Sequence, residues 1–325
     1  MHTVLVTGCA GFIGSHLCER LLADGFNVVG LDNFDPFYPR PSKERNLATL
    51  RNHARFAFHE LDLRQGPTAL QEAIGSTAID VVVHLAAKAG VGPSVNSPVA
   101  YLDNNLLGTA HLLEWMRTQQ VTRLLFASSS SVYGNTERRP FREDEQLQQA
   151  CISPYATSKL AGEELTYTYH HLHGLSVLNT RFFTVYGPRQ RPDLAIHKFA
   201  RLLLAGKPIP VYGDGSTARD YTFVGDTVEG IVRGIQYLLT HPGCYETVNL
   251  GNNRPVALLE LIEAIGQALQ IQPQLEYQPM QAGDVDVTFA DLTKAQTLLG
   301  YAPHTPLAEG LAQFVAWLRA TPTEA

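Results

Sequence analysis

The chain predicts an α/β fold: a doubly wound parallel sheet followed by a smaller C-terminal α/β lobe. Three observations carry this. Short β-branched runs alternate with helical patterns through the first half, the first run ends in a glycine turn that opens a helix, and the second half mixes longer helical patterns with short strands. In order, the first half reads TVLVT, a helix from about Phe12, NVVGLD, RFAFHE, IDVVVHLA, a helix from about Pro98, and RLLFAS. Runs this uniformly apolar are strands covered on both faces, as in a parallel sheet. The second half carries helical patterns near 193–206, 225–239, 257–269 and 306–319, separated by short strands and the turn segment YGDGSTARDY. Thr305 before Pro306 predicts a capped start for the last helix, with Pro in its first turn. The expected division is a dinucleotide domain over 1–180 and a mainly substrate-binding lobe over 181–325, some of whose segments return to the first domain. No linker, repeat or low-complexity tract marks the boundary.

The composition narrows the function classes. Of 325 residues, 45% are hydrophobic and 17% charged, with a net charge of −6. That describes a globular protein, and it argues against a nucleic-acid or anionic-membrane partner. Cys9, Cys18, Cys151 and Cys244 have no CxxC spacing, so neither a metal site nor a disulfide framework is expected. MHTVLVTG enters a strand at once, leaving no room for a signal peptide, and no apolar run approaches the roughly 18 residues of a membrane span. A soluble cytoplasmic protein is the expectation.

The segment TVLVTGCAGFIG is a strand, a glycine turn and a helix start. In a Rossmann-type unit Gly8 allows the sharp turn, Gly11 lets the backbone approach a pyrophosphate, and Gly14 allows close packing of helix on strand. Phe12 and Ile13 would stand at the cofactor with them, where the helix start offers free N–H groups. Asp32 ends the second strand 18 residues past Gly14, placed for an adenosine ribose. Its carboxylate would repel a 2′-phosphate, and neither Asn33 nor Phe34 supplies a positive group, so NAD is favoured over NADP. Asp62 and Leu63, after the third strand, would reach the adenine edge. Each residue also has a bland reading, a solvated loop acid or an ordinary tight turn. The glycine context favours the cofactor.

Two segments carry the chemistry. SPYATSKLAGEE places Tyr155 and Lys159 four apart on one helix face. A free tyrosine has a pKa of about 10. A neighbouring ammonium and a positively charged nicotinamide would lower it enough for a base. ASSSSVYG, residues 127–134, is either a solvated turn or a set of hydroxyls gathered for reaction.

TGCAGFIG, HLAAKAG, SSSSVYG and the YATSK pair, in that order and spacing, resemble the extended short-chain dehydrogenase/reductase family, and within it the nucleotide-sugar epimerases. The resemblance continues through YGDGSTARDYTFVGD and AGDVDVTFADLTKA. It implies that Tyr155 is the base, Lys159 its electrostatic partner and ribose ligand, and Ser129 the hydroxyl bonded to the reacting sugar oxygen. It adds Leu85, Ala86, Ala87 and Lys88 to the cofactor site. The implied reaction is NAD-dependent 4-epimerisation of a UDP-sugar through a 4-keto intermediate. Relatives that eliminate water carry an Asp-Glu pair where this chain has Ser129 and Ser130, so elimination lacks its acid and base. A homodimer through the 97–118 helical run is also implied.

For the sugar, RFFTVYGPRQRPD is the informative segment. Neutral-hexose epimerases usually carry Asn at Thr184, and the segment resembles that of UDP-glucuronate 4-epimerases. Oxidising a hexuronate at C4 makes a β-keto acid that loses carbon dioxide unless its carboxylate is restrained. Hydroxyls and a guanidinium could restrain it with charge-assisted hydrogen bonds. Ser128, Ser129, Ser130, Thr184, Arg189 and Arg191 are the candidates. Gly92 stands where uronate relatives often have Arg; Lys88 either compensates or meets the cofactor. Arg219 would meet the diphosphate and Asp284 the nucleotide ribose, while Gln281 replaces an Arg of neutral-sugar relatives. UDP-glucose 4-epimerisation, oxidative decarboxylation and a non-catalytic NAD-binding protein are the rival readings.

Overall fold

A computed structural model describes residues 2–147, 150–279 and 287–321. The first half runs β1 (Thr3–Thr7), α1 (Phe12–Ala23), β2 (Asn27–Asp32), α2 (Arg40–Leu47), β3 (Phe56–Glu60), α3 (Pro67–Ile74), β4 (Val81–His84), α4 (Val91–Asn96), α5 (Pro98–Leu102), α6 (Gly108–Thr118), β5 (Arg123–Ser129) and α7 (Pro154–His173). It continues through β6 (Ser176–Phe182), β7 (Thr184–Tyr186), α8 (Ala195–Leu204), β8 (Ile209–Tyr212), β9 (Ala218–Phe223), α9 (Val224–Thr240) and β10 (Tyr245–Leu250). β11 (Pro255–Ala257), α10 (Leu258–Leu269), β12 (Leu275–Gln278), α11 (Thr293–Leu299) and α12 (Leu307–Ala320) complete it.

Seven strands form one sheet in the order β10-β6-β5-β4-β1-β2-β3, and every neighbouring pair is parallel. Val4 and Val6 face one layer with Leu17 and Leu21 of α1 and Ile231 and Ile235 of α9. Leu5 faces the other with Leu70 of α3 and Leu112 and Trp115 of α6. Because β1 is covered on both sides, Val4, Leu5 and Val6 are all fully buried, which is why the strand reads as an unbroken apolar run. The strand order reverses between β1 and β4, and the carboxyl ends of those strands open a crevice there.

β10 comes from the second half yet pairs with β6 at the sheet edge. Beyond the main sheet lie a three-stranded sheet, β11-β9-β7, and a two-stranded one, β12-β8. Fully buried Asp220 of β9 holds this region to the sheet, accepting the N–H groups of Asn252, Asn253 and Ala290.

The last helix starts differently from the expectation. Pro306 is the cap position, with no side-chain capping bond, and the Thr305 N–H instead donates to Asp226 at 3.0 Å. A buried carboxylate of α9 thus holds the backbone just before the helix, where the local pattern expected a side-chain cap. The helical run from Pro98 passes through a π-helical turn over Asp103–Leu107 before α6. There buried Asn105 bonds both backbone groups of Lys88 and the Ser158 hydroxyl, tying this run to α7.

Candidate active site

A cleft of about 490 Å³ opens at the carboxyl ends of the strands. The glycine turn forms its floor. Gly8 has φ +73°, and a Cβ there would lie 2.9 Å from the Ala86 nitrogen. A Cβ on Gly14 would come within 2.1 Å of the Gly8 carbonyl oxygen, so the third glycine lets the helix start press against the turn itself. No side chain caps Gly11, which leaves the first-turn N–H groups of α1, around Phe12, Ile13 and Gly14, facing the cleft with the helix's partial positive charge.

Asp32 lines the cleft at the end of β2. Its Oδ2 accepts the Ala10 N–H at 3.1 Å and its Oδ1 the Phe34 N–H at 2.8 Å. Burial pushes its pKa up, against Lys43 and these two N–H groups. Asn33 donates to Asp62 at 2.9 Å, and Asp62, held by the Arg64 guanidinium, is pulled down to about 2. Leu63, Leu85, Ala86 and Ala87 complete this wall. Lys88 lines the cleft too, but its ammonium pairs with Asp35 at 2.8 Å. That pair ties the ammonium to the loop after β2.

Another part of the lining is built by α7 and β5. Ser153 caps α7, accepting the Ala156 N–H at 3.1 Å, with Pro154 in the first turn. Tyr155 thus sits at the helix mouth, on the cleft wall. Burial pushes its phenol pKa up, against the Ser129 hydroxyl and the Arg191 guanidinium, which pull it down. Lys159 donates to the Ala127 carbonyl at 2.7 Å, and burial brings its pKa down to about 8. Besides Lys159, four residues along the same helix, the Arg191 guanidinium is a second cation that favours the Tyr155 phenolate.

The four serines separate. Ser129 accepts the Ser131 N–H at 3.2 Å and faces Tyr155, so its hydroxyl stands at the cleft. Ser130 lines the cleft, as does Thr184 at the start of β7. Ser128 also lines the cleft, but its hydroxyl donates to Glu163 at 2.5 Å. Glu163 is held in turn by Arg181 through bonds of 3.0 and 2.8 Å, with both side chains buried. Successive strand residues point to opposite faces, which sends Ser128 under α7 and leaves Ser129 at the cleft.

The two loop arginines also part. Arg191 lines the cleft, donates to Asp193 and to the Ala89 carbonyl, and lies over the Phe37 ring. Arg189 is outside the cleft lining. Its guanidinium pairs with Glu19 of α1 at 2.7 Å, which corrects its expected place at the substrate. Arg219 lines the cleft at the start of β9. Asp284 and Gln281 lie outside the described residues. The structure adds Tyr38, Lys43 and Asn104 to the lining. Lys43, nearly buried, donates to the Asp35 carbonyl, and no sequence signal marks it in the polar α2 segment. No group of three or more metal-ligating side chains occurs among the described residues.

A family model described as GDP-mannose 4,6 dehydratase matches residues 5–314. The chain belongs to this family. Within the GDP-mannose 4,6 dehydratase family it is 42% identical over 316 residues to an uncharacterized protein of Methanocaldococcus jannaschii, covering 97% of this chain and 95% of that one. It is 39% identical over 314 residues to a UDP-glucuronate 4-epimerase of Thermodesulfobacterium geofontis, covering 96% and 95%. The crystal structure of UDP-glucuronic acid 4-epimerase from Bacillus cereus, in complex with UDP-glucuronic acid and NAD, superposes with a TM-score of 0.90 at 34% identity, covering 98% of this chain and 99% of that one.

Proposed function

We propose that this chain is an NAD-dependent 4-epimerase that interconverts UDP-glucuronate and UDP-galacturonate. The observation that carries the reading is the meeting of the Arg191 guanidinium with Tyr155, Ser129, Ser130 and Thr184 in one cleft, in a chain similar to UDP-glucuronate 4-epimerases.

The residues present fit NAD. The glycine turn leaves no room for a side chain where a pyrophosphate would lie, the α1 start offers N–H groups, and buried Asp32 at the end of β2 would meet the adenosine ribose. When bound, NAD supplies the hydride acceptor for sugar C4 and the hydride donor for its return. Tyr155 takes the proton of the 4-hydroxyl and gives it back after the sugar turns over. Ser129 orients that hydroxyl. Lys159 contributes positive charge beside it and holds the nicotinamide ribose. Arg219 and Asp284 anchor the diphosphate and the nucleotide ribose while the sugar rotates. Arg191, Ser130 and Thr184 hold the carboxylate, keeping its bond to C5 out of line with the C4 ketone, where decarboxylation is fastest. Arg191 has the further effect of favouring the Tyr155 phenolate.

Exposed Val95, Val99, Leu107 and Leu172 support a homodimer through the α4–α7 face. A cytoplasmic location belongs to the same reading, supported by four unpaired cysteines. No helix among the described residues is long and apolar enough to cross a membrane.

The test supplies purified protein with UDP-glucuronate and with UDP-glucose and compares kcat/KM. Preference for the uronate, with UDP-galacturonate as product, is expected; turnover confined to UDP-glucose, or UDP-xylose as main product, refutes the reading. Tyr155→Phe is expected to retain NAD and lose about 10²–10⁴-fold in kcat, the usual worth of a positioned acid-base group. Undiminished turnover would remove Tyr155 from its role.

A further inference from the structure

The segment between β7 and α8 that carries Arg191 is tied down residue by residue. The Pro188 carbonyl accepts from His16 Nε2 of α1 at 2.9 Å, and Arg189 pairs with Glu19, one turn further along the same helix. The Gln190 carbonyl accepts from His197 Nδ1 of α8 at 2.7 Å, while His197 Nε2 accepts from Arg201. A carbonyl can only accept, so each histidine presents an N–H to the loop. Burial favours the neutral ring in both. Arg189 meanwhile has φ +64°, a left-handed conformation that a non-glycine residue keeps only where its surroundings over-determine it.

The contacts of Arg191 itself are made at its guanidinium. Its guanidinium meets Asp193, two residues along the same loop, the Ala89 carbonyl at 3.2 Å and the Phe37 ring. Its place in the cleft is thus shared between these contacts and the backbone of the three residues before it. The helix that supplies two of the three ties, α1, also presents its N-terminus and the Phe12 side chain to the dinucleotide position, and His16 packs edge-on against the Phe12 ring.

We infer that His16 and Glu19 of α1, together with His197 of α8, are positioning residues that aim Arg191 into the cleft, so that the helix facing the dinucleotide also sets the sugar specificity. The inference rests on the reading that Arg191 meets the substrate carboxylate. It gives Arg189 a role that neither substrate contact nor a solvated loop describes: it is the ionic strut of the brace. A charge-assisted contact is steep in geometry, so a loop that relaxes by about 1 Å loses the carboxylate while leaving the uncharged part of the sugar site intact.

The experiment uses the Tyr155→Phe background, in which turnover does not complicate binding, and adds Arg189→Met, Glu19→Gln, or the exchange Glu19→Arg with Arg189→Glu. Calorimetry gives Kd for UDP-glucuronate and for UDP-glucose, and the dinucleotide content of each protein is measured spectroscopically. Each single variant is expected to bind UDP-glucuronate at least fivefold more weakly and UDP-glucose within twofold of the parent, with unchanged dinucleotide content. The exchange is expected to bring the uronate Kd back to within threefold. Unchanged uronate affinity, equal weakening of both sugars, or no recovery in the exchange would overturn the inference. Arg191→Ala in the same background separates it from the reading beneath. If Arg191→Ala weakens uronate binding and Arg189→Met does not, the brace alone is wrong; if neither does, the carboxylate reading falls and the brace with it.

Discussion

Replacing Glu163 with Gln keeps the shape of the side chain and removes its charge, at the centre of a buried network that includes Ser128, the neighbour of Ser129. In the native chain Arg181 bonds both carboxylate oxygens, at 3.0 and 2.8 Å, and Ser128 bonds one of them at 2.5 Å. Arg181 also donates to the Tyr133 hydroxyl at 3.0 Å, and that hydroxyl donates to Asn249 of β10 at 2.7 Å. Side-chain exposures of 5% and 7% leave the Arg181 charge almost no water to turn to. Breaking such a pair from one side typically costs about 3–5 kcal/mol, and Gln, which still offers one oxygen, belongs at the lower end. With an unfolding entropy of about 2.1 cal/mol/K per residue, a chain this long should lose roughly 4–5 °C in Tm. Removing both charges, with Glu163→Met and Arg181→Met, should recover at least half of the loss, because the desolvation cost of the pair goes with it. Calorimetric melting of the two variants and the parent reads this directly. A Glu163→Gln loss below about 1 kcal/mol, the range of an exposed pair, or a double variant no more stable than the single one, would refute the reasoning. Since Ser128 precedes Ser129 on β5, kcat for the single variant is expected to fall by about tenfold through displaced geometry.

Gly14→Ala drives a methyl into the Gly8 carbonyl; a loss at or above the usual ~1–3 kcal/mol of overpacking is expected, with a sharp fall in copurified dinucleotide by absorbance. Lys159 has a folded pKa of about 8 against an ordinary 10.5. In the dinucleotide-free protein the unfolded chain then binds the extra proton between those values, so stability should rise as pH climbs from about 8 to 10.5 and stay flat below about 8. Lys159→Met should abolish that slope in urea titrations and, if the ammonium serves the reaction, lower kcat as well; an unchanged slope would show that the ammonium is not desolvated. Ser130→Ala should raise KM for UDP-glucuronate without lowering Tm, whereas Ser128→Ala should lower Tm; the reverse pattern would contradict the separation of the two hydroxyls.

The parts of the site that are local in the chain are legible in the sequence itself. Gly8, Gly11 and Gly14 answer to one tight turn, and Tyr155 and Lys159 to one helix face, so spacing alone carries their geometry. Asp32 follows from the glycine turn because β2 lies beside β1 in the sheet. The central sheet is legible for a related reason: a strand covered on both faces must be apolar throughout.

What tertiary structure decided is which of several equivalent side chains reaches the cleft. Ser128 and Ser129 are chemically identical, and only the α7 carboxylate under β5 shows which hydroxyl is already engaged. Arg189 and Arg191 are two apart in one loop, and only Glu19, some 170 residues away, shows which of them is taken by α1. Lys88 belongs to Asp35, and Thr305 offers its N–H to Asp226. In each case a partner distant in the chain claims a polar group, because a buried donor or acceptor left unpaired is costly and takes the nearest partner that packing provides. Sequence periodicity records which way a residue points along its own element. It holds no record of what the rest of the chain has placed opposite.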